Sequence, residues 1–203
     1  MCPLESNGLF PATSMPDRDW WQALWPDPLA VLDRMDIRPG MNVLDLCCGD
    51  GYFTAPLARL VQGRVDALDL DPAMIERAKA EVARHGATVR SWICADALAI
   101  GGLLPEPVDY VLIANTFHGV PNQSALARTV KAVLKENGLF GIVNWRPFPR
   151  EQTTVLGKPR GPATPMRMSP AALIEVVAPE GFKVARTINL PPYHYGMVFE
   201  ATR

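Results

Sequence analysis

From Asn42 onward the chain alternates between short apolar runs and longer stretches of helical period. The runs NVLDL (42–46), RVDALDL (64–70), TVRSWICAD (88–96), VDYVLIANT (108–116) and LFGIVNW (139–145) predict five strands. The spacing predicts a helix near Tyr52–Val61 and a second over 71–86. In the second, Met74, Ile75, Ala78 and Val82 share one face, Asp71 can cap the start, Pro72 suits the first turn and Gly86 can end it. A third helix is predicted over 124–138, with Leu126, Val130, Val133 and Leu134 inward and Gly138 as its stop. Strands alternating with helices of this length imply parallel pairing through right-handed crossovers.

The rhythm breaks after the fifth strand. Residues 147–170 hold six prolines and no period, which predicts a long loop or lid. Ser169-Pro170 restarts a helix that ends near Pro179. FKVARTINL (182–190) and YGMVFEATR (195–203) are two further strands, joined by a segment too short for a crossover and therefore antiparallel. That join, with Tyr193, His194 and Tyr195, is expected at the sheet end away from any ligand. Residues 1–19 lack periodicity and read as an arm, and 19–35 carry three tryptophans on a short helical pattern. The expected division is an N-terminal arm and helical lid over 1–35 and one α/β domain over 36–203.

Composition narrows the class of partner. The 203 residues suit one domain, with 48% apolar and 20% charged residues. A formal net charge of −1, with Lys and Arg scattered, gives no field to recruit nucleic acid or an anionic membrane. Of the four cysteines, Cys47 and Cys48 are adjacent and poor material for a structural disulfide, and no C-x-x-C pair suggests zinc. This usage, together with the lack of a membrane-length apolar run or a secretory pattern, predicts a reduced, cytoplasmic protein without a bound metal. A small-molecule partner and a monomeric or homodimeric state follow as expectations.

The chemistry concentrates at VLDLCCGDGYFT (43–54). A strand, a glycine turn and a helix set backbone amides against a ligand, with Gly49 and Gly51 permitting close approach. Asp69 ends the second strand, where a carboxylate can accept both ribose hydroxyls, and Asp96 ends the third, within reach of an adenine amino group. These ends imply adenosine. A dinucleotide turn requires G-x-G-x-x-G, but Thr54 stands where the third glycine belongs, and Asp45 precedes the turn where it would repel a pyrophosphate. An ammonium group would be favoured there instead. Adenosine at one end and a free amino acid at the other describe S-adenosylmethionine. The alternatives are an NAD(P)-dependent oxidoreductase, disfavoured by Thr54 and Asp45, and a non-catalytic S-adenosylmethionine-binding protein.

Residues 40–145 resemble the core of the class I S-adenosylmethionine-dependent methyltransferases, in particular the small-molecule branch related to ubiquinone and menaquinone biosynthesis (methyltransferase types 11 and 25). VLDLCCGDG resembles that family's first motif, with Cys47 where glycine is commoner; ALDLDPAMIERAK resembles the second and CADAL the third. The resemblance implies a Rossmann-like three-layer α/β sandwich whose seven-stranded, mostly parallel sheet runs 3-2-1-4-5-7-6 with the last strand antiparallel. It also implies that Asp45, Cys47, Gly49 and Gly51 hold the methionine end. Asp69 would bind the ribose, Leu70 pack on the adenine, Asp96 and Ala97 read its edge, and Asn115 contact the cofactor. NLPPY (189–193) resembles the Asn-Pro-Pro-Tyr signature of nucleic-acid amino methyltransferases but stands after the wrong strand and has an intervening leucine.

Methyl transfer needs alignment and water exclusion, and a base only when the acceptor arrives protonated. On the acceptor side, His118 is a possible base or an orienting residue. Trp21 and Trp25 can shield the cleft or simply pack, and Trp145 and Arg146 end the fifth strand, where Arg146 can meet an anionic acceptor. The expected reaction is methyl transfer to O, N, S or C of a small organic acceptor in a closed cleft.

Overall fold

The structure, a computed structural model, describes residues 18–202; Cys2 and the rest of the expected arm before Arg18 lie outside it. Helices α1 (Arg18–Leu24) and α2 (Pro28–Arg34) lead into strand β1 (Val43–Leu46). Then follow α3 (Thr54–Leu60), β2 (Val65–Asp69), α4 (Pro72–Arg84), β3 (Ser91–Cys94) and β4 (Val108–Ala114). Next come α5 (Gln123–Val133), β5 (Leu134–Trp145), a two-residue hairpin β6 (Thr154–Val155) and β7 (Lys158–Pro159), and α6 (Pro170–Val177). The final strands are β8 (Phe182–Leu190) and β9 (His194–Ala201).

The main sheet has the order β3-β2-β1-β4-β5-β9-β8. With the β6–β7 pair set aside this is the expected 3-2-1-4-5-7-6, and β9 runs antiparallel to both β5 and β8. Strand alternation sends Val43 and Asp45 to one face and Leu44 and Leu46 to the other. Val43 joins an apolar layer with α1 to α4, whereas Leu44 and Leu46 join a second layer that includes Leu126 and Val130 of α5 and Leu173 of α6. Trp20, Trp21, Leu24 and Trp25 are buried in the first layer, so α1 is part of the domain core.

Local chemistry explains the helix starts. Asp71, Asn122 and Ser169 each accept a backbone N–H from the first turn of α4, α5 and α6, and Pro72 and Pro170 occupy first-turn positions. The predicted end of the third helix is corrected. The helix stops at Val133, Leu134 is already extended (ψ 145°), and it pairs with Val108 as the first residue of β5. Gly138 therefore lies within a strand, after Asn137 in a left-handed conformation (φ 59°).

The proline-rich segment is organised around one side chain. The Arg167 guanidinium donates to the carbonyls of Pro162, Phe148 and Arg160 and to Thr153 Oγ1, all at 2.9–3.1 Å. Cys47 and Cys48 are free thiols, whereas Cys94 is disulfide-bonded, which departs from the fully reduced chain expected. Among the described residues no helix is long and apolar enough to cross a membrane.

Candidate active site

Strand β1 ends at Leu46, and the chain then turns through Cys47, in a left-handed conformation (φ 61°), and Gly49 (φ 55°). The positive φ at position 47 is the backbone state that glycine adopts most easily. Asp69, at the end of β2, ties the turn down: its Oδ2 accepts from Gly49 N and its Oδ1 from Asp71 N, each at 2.9 Å. Gly51 serves a different purpose from that expected. A Cβ there would lie 2.7 Å from the Cα of Ala78, so its missing side chain admits α4 rather than a ligand.

Above this turn is a cavity of about 450 Å³. Its floor is Asp45, Cys47, Cys48 and Gly49; Ala114 at the end of β4, with Asn115, Thr116 and His118 after it, forms one wall. Trp20 and Trp21 of α1, with Tyr52, Phe53 and Trp145, supply flat apolar surface. The proline-rich segment closes the top through Arg150, Arg160–Ala163 and Met166.

Asp45 dominates the electrostatics. It is 2% exposed, its side-chain donor is Thr54 Oγ1 at 2.6 Å, and burial raises its pKa to about 6 against the lowering effect of that hydrogen bond. The other buried acids have cations: Asp66 is paired with Arg90, and Glu81 with Arg18, Arg84 and His85. Among the described residues, Asp45 has no such partner. Buried charge is normally paired, so this carboxylate is set for a cation from outside the chain. Burial, together with Asp69, Asp45 and Asp96, pushes the Cys47 thiol up, so it stays protonated and is no nucleophile.

Asn115 also stands uncompensated. It adopts φ 60°, lines the cavity, and both polar atoms of its side chain are buried without a partner. The indole N–H of Trp21 is in the same position. Each such group costs about 1–3 kcal/mol unless a ligand or water engages it.

His118 sits on a one-turn helix (Phe117–Gly119) just after β4, with Nδ1 3.3 Å from Oδ1 of the buried Asn144. With Nδ1–H donating to that oxygen, the Nε2 lone pair is left open. Burial lowers the His118 pKa, so the ring is neutral at pH 7.

The remaining expected residues divide clearly. Asp69, Leu70, Asp96 and Ala97 do not line the cavity but stand at and after the C-terminal ends of β2 and β3. Asp96 is exposed and caps the next turn through Leu98 N at 2.8 Å. Trp25 does not line the cavity and packs against Phe53 and His194. Arg146 is likewise absent from it; its guanidinium donates to His194 O at 3.1 Å and Asn189 Oδ1 at 2.7 Å. The placement expected for Tyr193–Tyr195 is corrected. Because β9 is antiparallel, His194 pairs with Trp145 at the end where β5 leaves the sheet, which is the cavity end. His194 is fully buried, with ring centroids 4.1 Å from Trp145 and 4.6 Å from Trp25.

A doubly wound sheet with a cavity beyond the C-terminal ends of β1 and β4 has its ligand site at the topological switch point. Comparison with known proteins agrees. Residues 43–138 match the family model described as a methyltransferase domain. Nocamycin O-methyltransferase of Saccharothrix syringae is 29% identical over 184 residues, 85% of this chain and 61% of that protein. The ubiquinone biosynthesis O-methyltransferase of a Methylobacterium species is 33% identical over 119 residues, 58% of this chain and 42% of that protein. A SAM-dependent methyltransferase from Aquifex aeolicus superposes with a TM-score of 0.74 at 22% identity, covering 92% of this chain and 94% of that one. Over residues 43–138 the chain is thus similar to a methyltransferase domain, and its fold is that of S-adenosylmethionine-dependent methyltransferases. It spans about half the length of the curated relatives it matches.

Proposed function

We propose that this protein methylates a small organic acceptor, with the acceptor and the amino-acid end of S-adenosylmethionine sharing the 450 Å³ cavity and the adenosine lying across the ends of β2 and β3. The observation that carries the reading is Asp45, a buried carboxylate with a hydroxyl partner and no cation among the described residues. A zwitterionic amino-acid tail supplies the missing cation; a diphosphate would bring further negative charge.

The residues present fit that cofactor. Asp45 and the backbone at Cys47 and Gly49 would hold the amino-acid end, and the unpaired amide of Asn115 would meet it from β4. Asp69 would accept the ribose hydroxyls while keeping its bonds to the turn, with Leu70 against the adenine and Asp96 and Ala97 at its edge. The cofactor supplies a methyl carbon on a positively charged sulfur, an excellent leaving group.

The chain's own contribution is then alignment, exclusion of water and one proton. Trp20, Trp21, Phe53 and Trp145 close the cavity with apolar surface, so an acceptor is held dry and in a limited set of orientations. His118 presents a neutral Nε2 that takes the proton from a hydroxyl or thiol acceptor, while Asn144 holds the ring through Nδ1. Action as a monomer or homodimer belongs to the same reading.

Calorimetric titration with S-adenosylhomocysteine tests it. One equivalent bound, with no response to NADH, is expected; NADH binding without a response to S-adenosylhomocysteine would replace the reading.

A further inference from the structure

The cavity is lined by groups of both charges, Asp45 and Asp50 on one hand and Arg150 and Arg160 on the other. Its floor holds Asp45, on β1. Its roof holds Arg150 and Arg160, from the segment after β5, and β5 lies beyond β4 from β1. Other arginines nearby are committed to structure. Arg167 gives its donors to three carbonyls and a hydroxyl, and Arg146 is tied to His194 and Asn189. Arg150 and Arg160 are not so committed. Arg150 makes one side-chain bond, from Nε to Gly161 O at 3.0 Å. Arg160 lies over the Trp20 ring at 5.2 Å, and its buried Nε has no hydrogen-bond partner. Among the described residues neither guanidinium has a carboxylate within ion-pair distance.

Arg160, half-buried with an unpartnered Nε, and the exposed Arg150 both line the cavity without a carboxylate partner among the described residues, and the planar fork of arginine matches a carboxylate. With Asp45 taken up by the cofactor's ammonium group, an anionic group on the acceptor is drawn to the two guanidiniums. Trp20, Trp21, Phe53 and Trp145 also line the cavity, with Arg160 over the Trp20 ring and Arg167 over the Trp145 ring. We propose that Arg150 and Arg160 form an anion subsite that selects methyl acceptors carrying a carboxylate on a small flat ring. The proposal rests on the methyltransferase reading above and names the substrate class of that site. It also replaces Arg146 with two residues of the roof as the groups that recognise charge.

The experiment uses the full chain with S-adenosylhomocysteine bound and a matched pair of probes, 4-hydroxybenzoate and 4-hydroxybenzyl alcohol. Binding is followed by calorimetry and by quenching of tryptophan fluorescence. The acid is expected to bind at least about tenfold more tightly than the alcohol, since each charge-assisted hydrogen bond exceeds a neutral one. Arg160→Gln and Arg150→Gln are each expected to shrink that preference, and Arg160→Lys to retain part of it, with S-adenosylhomocysteine affinity unchanged in all three. Unchanged cofactor-product affinity also reports that each variant is folded. Equal binding of the two probes to the unaltered protein overturns the proposal, as does a preference that survives both glutamine substitutions. A tenfold loss of S-adenosylhomocysteine affinity in the variants also overturns it, by assigning the roof to the cofactor's own carboxylate. Failure of the unaltered protein to bind S-adenosylhomocysteine would instead remove the underlying methyltransferase reading.

Discussion

The hydroxyl of Thr54 donates to the carboxylate of Asp45 at 2.6 Å, joining the first residue of α3 to the strand beneath the glycine turn. Thr54 stands where a dinucleotide turn would have its third glycine, so one residue both departs from that pattern and holds the acid that a pyrophosphate would avoid. The pair therefore separates two ligand classes at one point in the fold.

Asp45 is kept at a cost to stability. Its folded pKa, about 6, lies above the ordinary 3.8, so the native state binds the extra proton. Its favourable contribution is fully present below about pH 4 and is lost as pH rises through about 6. Asp45→Asn is therefore expected to stabilise the ligand-free protein at pH 7.5, by roughly 1–3 kcal/mol. The gain should vanish by pH 4. Urea titrations of both proteins at the two pH values measure the difference; a variant less stable at pH 7.5 would show that the charge is not strained in the free site.

Asn144 should fix the tautomer of His118. Nitrogen-15 spectra of the imidazole at pH 7 are expected to show a neutral ring with its proton on Nδ1 and a midpoint below the ordinary 6.5. Asn144→Leu should release that preference and lower kcat more than it raises the acceptor KM, leaving S-adenosylhomocysteine affinity in place. A charged ring at pH 7, or a proton on Nε2, would remove His118 as the base.

Gly51→Ala is predicted to destabilise the fold by more than about 2 kcal/mol, since a methyl group at φ +85° would meet the Ala78 backbone at 2.7 Å. Because the obstructing atom is a Cα, Ala78→Gly should restore little. A double-mutant cycle in thermal unfolding reads this directly; full rescue would place the collision on the Ala78 methyl instead.

His194 works in the opposite direction to Asp45. Burial holds its pKa well below 6.5, and both ring nitrogens lack partners between Trp25 and Trp145. Its folded pKa is depressed, so the unfolded chain takes up the proton first and stability falls as pH drops below about 6.5. His194→Phe should flatten that acid limb in unfolding experiments between pH 5 and 7 (about 1.4 kcal/mol per pH unit at most). An acid limb unchanged in the variant would assign it to another group.

Much of this was legible in the chain, and for specific reasons. Strands β1, β2 and β4 announce themselves as apolar runs, and Asp71 with Pro72 marks a helix start by chemistry that is wholly local. Leu134 was not legible as a strand residue. The stretch LKEN continues a helical pattern, and only pairing of Leu134 with Val108 across the sheet overrides it. The end of the sheet that carries His194 follows from topology alone, because a strand antiparallel to β5 must begin where β5 stops. The roof was the least legible part. In a proline-rich segment without a period, the path of the chain is pinned by the carbonyls that Arg167 gathers, and these come from positions 148, 160 and 162.

The central claim is that Asp45 provides the counter-charge for a cationic amino-acid tail. Calorimetry at pH 7.5 should compare S-adenosylhomocysteine with 5′-methylthioadenosine, which lacks that tail, on the unaltered protein and on Asp45→Asn. The substitution is predicted to weaken S-adenosylhomocysteine by about tenfold or more, as expected for a buried charge-assisted contact, and to leave methylthioadenosine within about twofold. Equal losses for both ligands, or none for either, would contradict the account.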